Sequence, residues 1–305
     1  MGGLPKILLF GKNGQVGWEL QRALAPLGPV VALDRHGSEG LCGDLADLAG
    51  IATTIRAVAP NVIVNAAAYT EVDQAQAEPE LARRINCDAV AVLAREAQAL
   101  GAWLVSYSTD YVFDGSGQQP WREEDVPHPL SVYGQTKRDG ELAIQAVGGQ
   151  HLIFRASWVY GARGRNFAKT ILRLAAERDV LQVVADQFGA PTGADLLADV
   201  TAHALRLVRL RPELAGLYHL AAAGETSWHG YARHVVEAAW AAGHPLRLAG
   251  AAIVPIPATA YPLPAPRPAN SRLDTSRLRA AFGVHLPPWQ EGVDRLLGEL
   301  FEERL

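Results

Sequence analysis

Seven residues near the N-terminus constrain this chain more than any others. Gly11-Lys12-Asn13-Gly14-Gln15-Val16-Gly17 carries glycine at every third position. It follows the short apolar run Ile7–Phe10 and opens into the amphipathic segment Trp18-Glu19-Leu20-Gln21-Arg22-Ala23-Leu24. A buried strand, a glycine loop and a helix in that order make the first unit of a dinucleotide-binding sheet. Glycines there permit a tight turn and let backbone approach a pyrophosphate, which the helix N-terminus then attracts. Gly11, Gly14 and Gly17 are therefore cofactor candidates on residue type alone.

The pattern then repeats. Val30–Leu33 is a second strand, and it ends at Asp34, 17 residues after Gly17 (34 − 17). A carboxylate at that place suits the hydroxyls of an adenosine ribose. Arg35 follows at once and suits a 2′-phosphate, so NADH and NADPH both stay open. Asp44-Leu45 precedes a helix running to about Val58, and Asp44 serves either the adenine end of a cofactor or the helix N-cap. Asn61–Asn65 is the next buried strand, leading into the small residues of Ala66-Ala67-Ala68-Tyr69-Thr70. Residues 79–100 are helical by period. Strands of four to six apolar residues alternating with helices predict an α/β fold, a doubly wound parallel sheet of Rossmann type.

The fourth strand, Trp103-Leu104-Val105-Ser106-Tyr107-Ser108-Thr109, ends in hydroxyls, where open α/β sheets bind ligands. Beyond it Tyr133 and Lys137 stand four residues apart, so a helix beginning near Ser131 places both on one face. A cation beside a phenol favours the phenolate and is expected to lower its pKa from about 10. Tyr133, Lys137 and Thr109 are the catalytic candidates.

Composition narrows the partners. A net charge of −4 over 305 residues, without a basic stripe, points away from nucleic acid and from anionic membranes. Cys42 and Cys87 lie outside any metal-ligand spacing and suggest a reduced, cytoplasmic protein. The N-terminal apolar run reads as a first strand rather than a signal peptide, and no apolar stretch reaches the roughly 18 residues of a membrane span.

Taken together, GKNGQVG, VNAAAYTEVD, YSTDYVFDG and Tyr133-x-x-x-Lys137 resemble the extended short-chain dehydrogenase/reductase superfamily, and more narrowly the dTDP-4-dehydrorhamnose reductase family. The later segments FRASWVYGARGRNFAKT, VVADQFGAPTGADLLAD, GLYHLAAAGETSWHGYA and PATAYPLPAPRPANSRLDT agree, so the resemblance covers nearly the whole chain. It implies an NADPH- or NADH-dependent reductase that acts on dTDP-4-dehydro-L-rhamnose, a small-molecule sugar nucleotide, in the last step of dTDP-L-rhamnose synthesis. By that resemblance Tyr133 donates the proton to the C4 oxygen, Lys137 holds the nicotinamide ribose and depresses the Tyr133 pKa, and Thr109 hydrogen-bonds the carbonyl. Gly14, Gln15, Val16, Asp34, Asp44, Leu45, Ala68, Tyr69, Thr70 and Tyr107 fall where the family lines its cofactor. Thr109, Asp110 and Trp158 fall where it meets the sugar nucleotide.

The second half is expected to supply a smaller, discontinuous α/β substrate-binding domain. Residues 1–160, with returning segments near 193–222, form the dinucleotide domain, and about 161–192 with 223–305 mainly the other. The proline-rich stretch 253–270 excludes a regular helix or central strand and suits an ordered loop over the substrate. Arg267 in that loop either pairs with the diphosphate or tethers the loop. Trp228, Trp240 and Trp289 read as core, and His219 as a core residue or one that supports the site. Some members of the resembled family are dimers sharing a divalent cation such as Mg2+ between carboxylates; the corresponding positions here are Asp195 and Glu299, so monomer and homodimer both stand. Two alternatives compete. One is a neighbouring sugar-nucleotide reductase, epimerase or dehydratase, although Thr109 is followed by Asp110-Tyr111 and not by the Asp-Glu pair a dehydratase resembles. The other is a non-catalytic dinucleotide-binding subunit, which had no need to keep Thr109, Tyr133 and Lys137 together.

Overall fold

The structure, a computed structural model, describes residues 4–248 and 252–302. Its centre is a six-stranded parallel sheet built from β1 (Ile7–Phe10), β2 (Val30–Leu33), β3 (Val62–Asn65), β4 (Trp103–Thr109), β5 (His151–Ala156) and β6 (Gly216–His219). The spatial order is β6-β5-β4-β3-β1-β2, with each pair parallel. From β1 the chain moves outward to β2 and then returns to β3 on the other side of β1. That reversal opens a crevice above the carboxyl ends of β1 and β3, the ligand-binding position of such sheets.

Alternation along the strands explains why the sheet is covered on both faces. Ile7 and Leu9 point to one face together with Val64, Val105 and Phe154; Leu8 and Phe10 point to the other with Ile63, Leu104 and Ile153. The first face packs against α1 (Gln15–Leu24) and a later helix that returns to the sheet. The second packs against α2 (Leu48–Val58) and α3 (Ala89–Leu100). Next come α4 (Val132–Val147), α5 (Phe167–Glu177), the returning helix α6 (Ala194–Val208), α7 (Trp228–Ala241) and α8 (Trp289–Glu302). A third core, apart from the sheet, joins Ile171 and Ala175 of α5 to Tyr231 and Val235 of α7 and to Trp289 and Val293 of α8.

Several local expectations are adjusted. The helical stretch 79–100 is interrupted by a π-turn over Arg84–Asp88. The extra residue turns Asn86 and Cys87 inward. α2 begins at Leu48, because Asp47 caps it by accepting the Gly50 N–H at 2.9 Å. Asp44 closes the preceding turn by accepting the Ala46 N–H at 2.9 Å. Within the proline-rich stretch, Ile253–Ile256 does form a strand, pairing in parallel with Leu181–Val184. It is tolerated because the pair is an isolated two-stranded ribbon, where Pro255 need not donate to a strand on its far side. Trp240 is half exposed, its indole N–H reaching the Leu248 carbonyl at 3.0 Å.

The glycine loop is built to contact distance. A Cβ on Gly17 would lie 2.0 Å from the Gly11 carbonyl oxygen, and one on Gly11 2.8 Å from the Ala66 backbone. Gly17→Ala should therefore cost about 1–3 kcal/mol as an overpacked site, read as a lower denaturant midpoint. Gly298→Ala in α8, where a Cβ meets nothing within 4 Å among the described residues, should be neutral or stabilising. Equal midpoints for the wild type and Gly17→Ala would mean the loop is not packed this tightly.

Candidate active site

The site is organised by the first three turns of α4. Ser131 starts the helix by accepting the Gly134 N–H on its hydroxyl at 3.2 Å. Gly134 and Gly140 let it sit against backbone: Cβ atoms there would lie 2.1 Å from the Tyr111 oxygen and 2.2 Å from the Asn86 oxygen. This close seating drives Lys137 into the interior, where its side-chain nitrogen donates to the Tyr107 carbonyl at 2.6 Å. Burial pushes the ammonium down to about 8, and the nearby Glu141 carboxylate opposes the shift.

Tyr133, one turn earlier, meets Thr109 at the end of β4. Burial pushes the phenol up to about 12, the Thr109 hydroxyl bond lowers it and the Asp110 charge raises it. The expectation that Lys137 depresses the Tyr133 pKa is thus corrected. Lys137 gives its hydrogen bond to the Tyr107 carbonyl, and burial dominates the phenol. Tyr133 is a protonated acid at neutral pH. Thr109 is 5% exposed, donates to Asp110 Oδ1 at 3.1 Å and accepts the Tyr111 N–H at 3.1 Å. Asp110 is pushed up to about 7 by burial, against hydrogen bonds from Ser271 and Thr109. Asp110 Oδ2 and the Ser108 hydroxyl are buried without a partner among the described residues. Such orphans beside a hydroxyl pair suit a ligand that brings its own polar atoms.

The cofactor candidates surround the crevice between β1 and β3. Gly14 is the N-cap of α1, with no side-chain cap and no acid in the first turn among the described residues. The first-turn N–H groups of α1 are therefore available to an anion. A Cβ on Gly14 would meet only the Gly11 and Ala66 oxygens, at 3.4 and 4.0 Å, so backbone lines the approach. Gln15 Oε1 accepts from Asn166 at 3.1 Å, and Val16 packs its side chain on the sheet. Asp34 accepts from Asn13 at 2.7 Å with Lys12 at 3.8 Å, and the His36 N–H bond helps hold its carboxyl below the ordinary value. The Ala68-Tyr69-Thr70 loop is clasped by Asn86, which accepts the Tyr69 N–H at 2.9 Å and donates to its carbonyl at 3.1 Å. Two candidates turn their side chains elsewhere. Leu45 is core, and Tyr107 packs on Phe154 and bonds Thr201 at 2.7 Å, offering the site its carbonyl.

Among the residues expected to meet the substrate, the structure joins what sequence reading kept apart. Trp158 stacks on Trp228 with ring centroids 3.6 Å apart and 14° between planes, so Trp228 is a partner of the candidate site tryptophan rather than simple core. Trp158 adopts φ +49°, a strained value for a bulky residue, and Gly189 leaves room for its ring. Arg267 takes the tethering alternative. It donates to Asp73 at 2.8 Å and to the Ala265 carbonyl at 2.6 Å, pinning the proline-rich loop. Asp195 and Glu299 do converge, but on Arg295, at 3.2 and 3.1 Å. Within one chain, then, both carboxylates are paired with one guanidinium. Among the described residues no group of three His, Cys, Asp or Glu side chains is placed to hold a metal.

Asn86, Ser271 and the buried pair Glu141–Arg155 were not anticipated. Each left a trace in the sequence: an amide inside a helical period, a hydroxyl after the prolines, and a charged residue inside an apolar strand.

Comparison with known proteins agrees with this geometry. Residues 5–301 match the family model described as the RmlD substrate binding domain. The chain is 56% identical over 295 residues to the dTDP-4-dehydrorhamnose reductase of Escherichia coli (strain K12), covering 97% of this chain and 98% of that one. It is 48% identical over 303 residues to the reductase of the same name from Burkholderia thailandensis, covering 98% and 100%. A crystal structure of dTDP-4-dehydrorhamnose reductase from Bacillus anthracis in complex with NADP superposes with a TM-score of 0.85 at 31% identity, covering 97% and 100%.

Proposed function

Because the chain belongs to the dTDP-4-dehydrorhamnose reductase family, we propose that it reduces the C4 carbonyl of dTDP-4-dehydro-L-rhamnose to the alcohol of dTDP-L-rhamnose, with NADPH or NADH as reductant. The observation that carries this is the meeting of Tyr133 with Thr109 above buried Lys137, at the carboxyl end of β4 and beside a glycine loop that fits a dinucleotide diphosphate.

The nicotinamide cofactor supplies the hydride when bound. The chain's own residues do the rest. The α1 N-terminus and glycine backbone hold the diphosphate. Asp34, with Lys12 and exposed Arg35 beside it, takes the adenosine ribose or its 2′-phosphate, so both reductants remain in the reading. Lys137 holds the nicotinamide ribose. As charge grows on the carbonyl oxygen, the Thr109 and Tyr133 hydroxyls stabilise it and Tyr133 delivers the proton. A phenol held near 12 is well suited to keep its proton until that oxygen demands it. Asp110 and the Trp158–Trp228 stack shape the sugar-nucleotide side. The sheet unit with its returning segments then carries the cofactor, and the third core carries the sugar-nucleotide half. In the same reading the enzyme works in the cytoplasm as a monomer or homodimer. The two free cysteines favour a reducing compartment, and among the described residues no helix is long and apolar enough to cross a membrane.

Three measurements test this. NADPH absorbance should fall when the protein is mixed with dTDP-4-dehydro-L-rhamnose; oxidation only with a different 4-ketosugar nucleotide would keep the chemistry and discard the sugar. Tyr133→Phe should cut turnover by about 10²–10⁴ with cofactor affinity nearly unchanged, and near-normal turnover would remove Tyr133 from the mechanism. Lys137 carries its charge below about 8 and sheds it above, earlier than an unfolded lysine at 10.5. Its burial therefore costs stability at neutral pH, a cost relieved on alkalinisation, while the cation that holds the ribose is lost. Cofactor affinity should fall between about pH 7 and 9, and Lys137→Ala should bind weakly without that fall.

A further inference from the structure

Beneath the catalytic helix lies a charged network that the proposed chemistry does not use. Glu141, one turn beyond Lys137, forms a two-pronged pair with Arg155 of β5 at 2.9 and 2.6 Å, and both side chains are 4% exposed. Arg155 also approaches His219 Nε2 of β6 at 3.4 Å, while His219 Nδ1 reaches the Trp121 carbonyl at 3.0 Å. That arrangement fits one tautomer, with the proton on Nδ1, and burial beside Arg155 pushes the imidazole down to about 3, so the ring stays neutral. Phe113, under the guanidinium at 5.0 Å, stacks on Trp121 at 4.6 Å. Trp121 in turn bonds the end of the proline-rich loop, accepting the Asp274 N–H at 2.7 Å and donating its indole N–H to Asn270 at 3.1 Å.

Stability alone is a poor reason for such a network. A buried ion pair is often no more stabilising than apolar side chains of the same volume, because desolvation offsets the attraction. Its position is more telling. Tyr133, Lys137 and Glu141 occupy successive turns of one helical face. They meet, in order, Thr109 at the end of β4, the Tyr107 carbonyl two residues back, and Arg155 on the adjacent strand. Arg155 stands opposite Ser108, the residue between the first two contacts. The Glu141 pair is thus a second anchor about 6 Å along the helix axis from the Lys137 anchor, at 1.5 Å per residue. Two anchors fix both the rotation and the slide of α4.

We propose that the buried Glu141–Arg155 pair is a positioning unit for Lys137, registering the catalytic helix on β4 and β5 so that the ammonium and the Tyr133 phenol stand where cofactor and carbonyl meet. This rests on the proposed role of Lys137 in holding the cofactor. Neutral His219 completes the unit by occupying the outer side of Arg155, and through Trp121 it joins the helix register to the loop ending at Asn270.

The test is a cycle in cofactor affinity, which needs no sugar substrate. Replacing the pair together, Glu141→Leu with Arg155→Met, removes both charges at similar volume and should leave a folded protein by thermal melting. NADPH binding should weaken about tenfold, a coupling of the size contacting residues show. In a Lys137→Ala background the same replacement should change affinity by less than about twofold. If the apolar pair does not fold, Glu141→Asp enters the same cycle, keeping both charges while withdrawing the carboxylate by one methylene. Unchanged affinity on replacing the pair, or an equal loss with and without Lys137, overturns the proposal and leaves the reductase reading standing. Wild-type affinity in Lys137→Ala overturns the assigned role of Lys137, and this proposal with it.

Discussion

A buried lysine is the constraint on which the site depends. Taking an ammonium out of water costs several kcal/mol unless fixed partners replace the solvent. Here the replacement is one backbone carbonyl, that of Tyr107, with the Glu141 carboxylate nearby. A carbonyl at the end of a central strand moves little, so the lysine takes its place from the sheet. The close seating this demands explains Gly134 and Gly140, where any side chain would strike the Tyr111 or Asn86 backbone. A π-turn interrupts the neighbouring helix where it meets this seating. That turn presents Asn86 both to the Tyr69 backbone and to the Thr136 hydroxyl, the latter at 3.2 Å, tying the 68–70 loop to the same helix.

The proposed sugar-facing side is assembled on a different principle. Trp158 is held at a positive φ, a conformation that costs on the order of 1–3 kcal/mol for a residue with a side chain. Its carbonyl accepts the Thr192 N–H at 3.2 Å, its ring lies flat on Trp228, and Gly189 leaves space beside it. These contacts come from two distant segments, the 189–192 loop and the start of α7, and together they set an aromatic wall. The proline-rich loop is pinned at both ends of its site-facing part, by Arg267 on Asp73 and by Ser271 and Asn270 against the Phe188 and Gly115 backbone. Its prolines leave few N–H groups to satisfy, which suits a segment held mainly through side chains and its last residues.

Much of this was legible beforehand, and the reason differs from element to element. The run from Ile7 to Leu24 states a strand, a tight turn and a helix through local periodicity and glycine spacing alone. The start of α4 at Ser131 and the common face of Tyr133 and Lys137 follow from helix geometry, which needs no knowledge of neighbours. Leu45 shows the opposite case. Its place beside Asp44 marks it as lining a cofactor by resemblance, yet its side chain is drawn into the core because an apolar group next to the sheet has nowhere better to go.

What the sequence determined by itself, then, is the order of strands and helices and the shared helical face of Tyr133 and Lys137, because both are written in spacings of one to four residues. Tertiary structure alone decided what those groups feel. It put Lys137 on a carbonyl rather than on the phenol, so burial lifts the Tyr133 pKa where sequence proximity suggested it would fall. It brought Arg267 to Asp73 across 194 positions and Asp195 and Glu299 to a shared arginine. Burial and long-range pairing arise only when distant segments pack, and no local pattern records them.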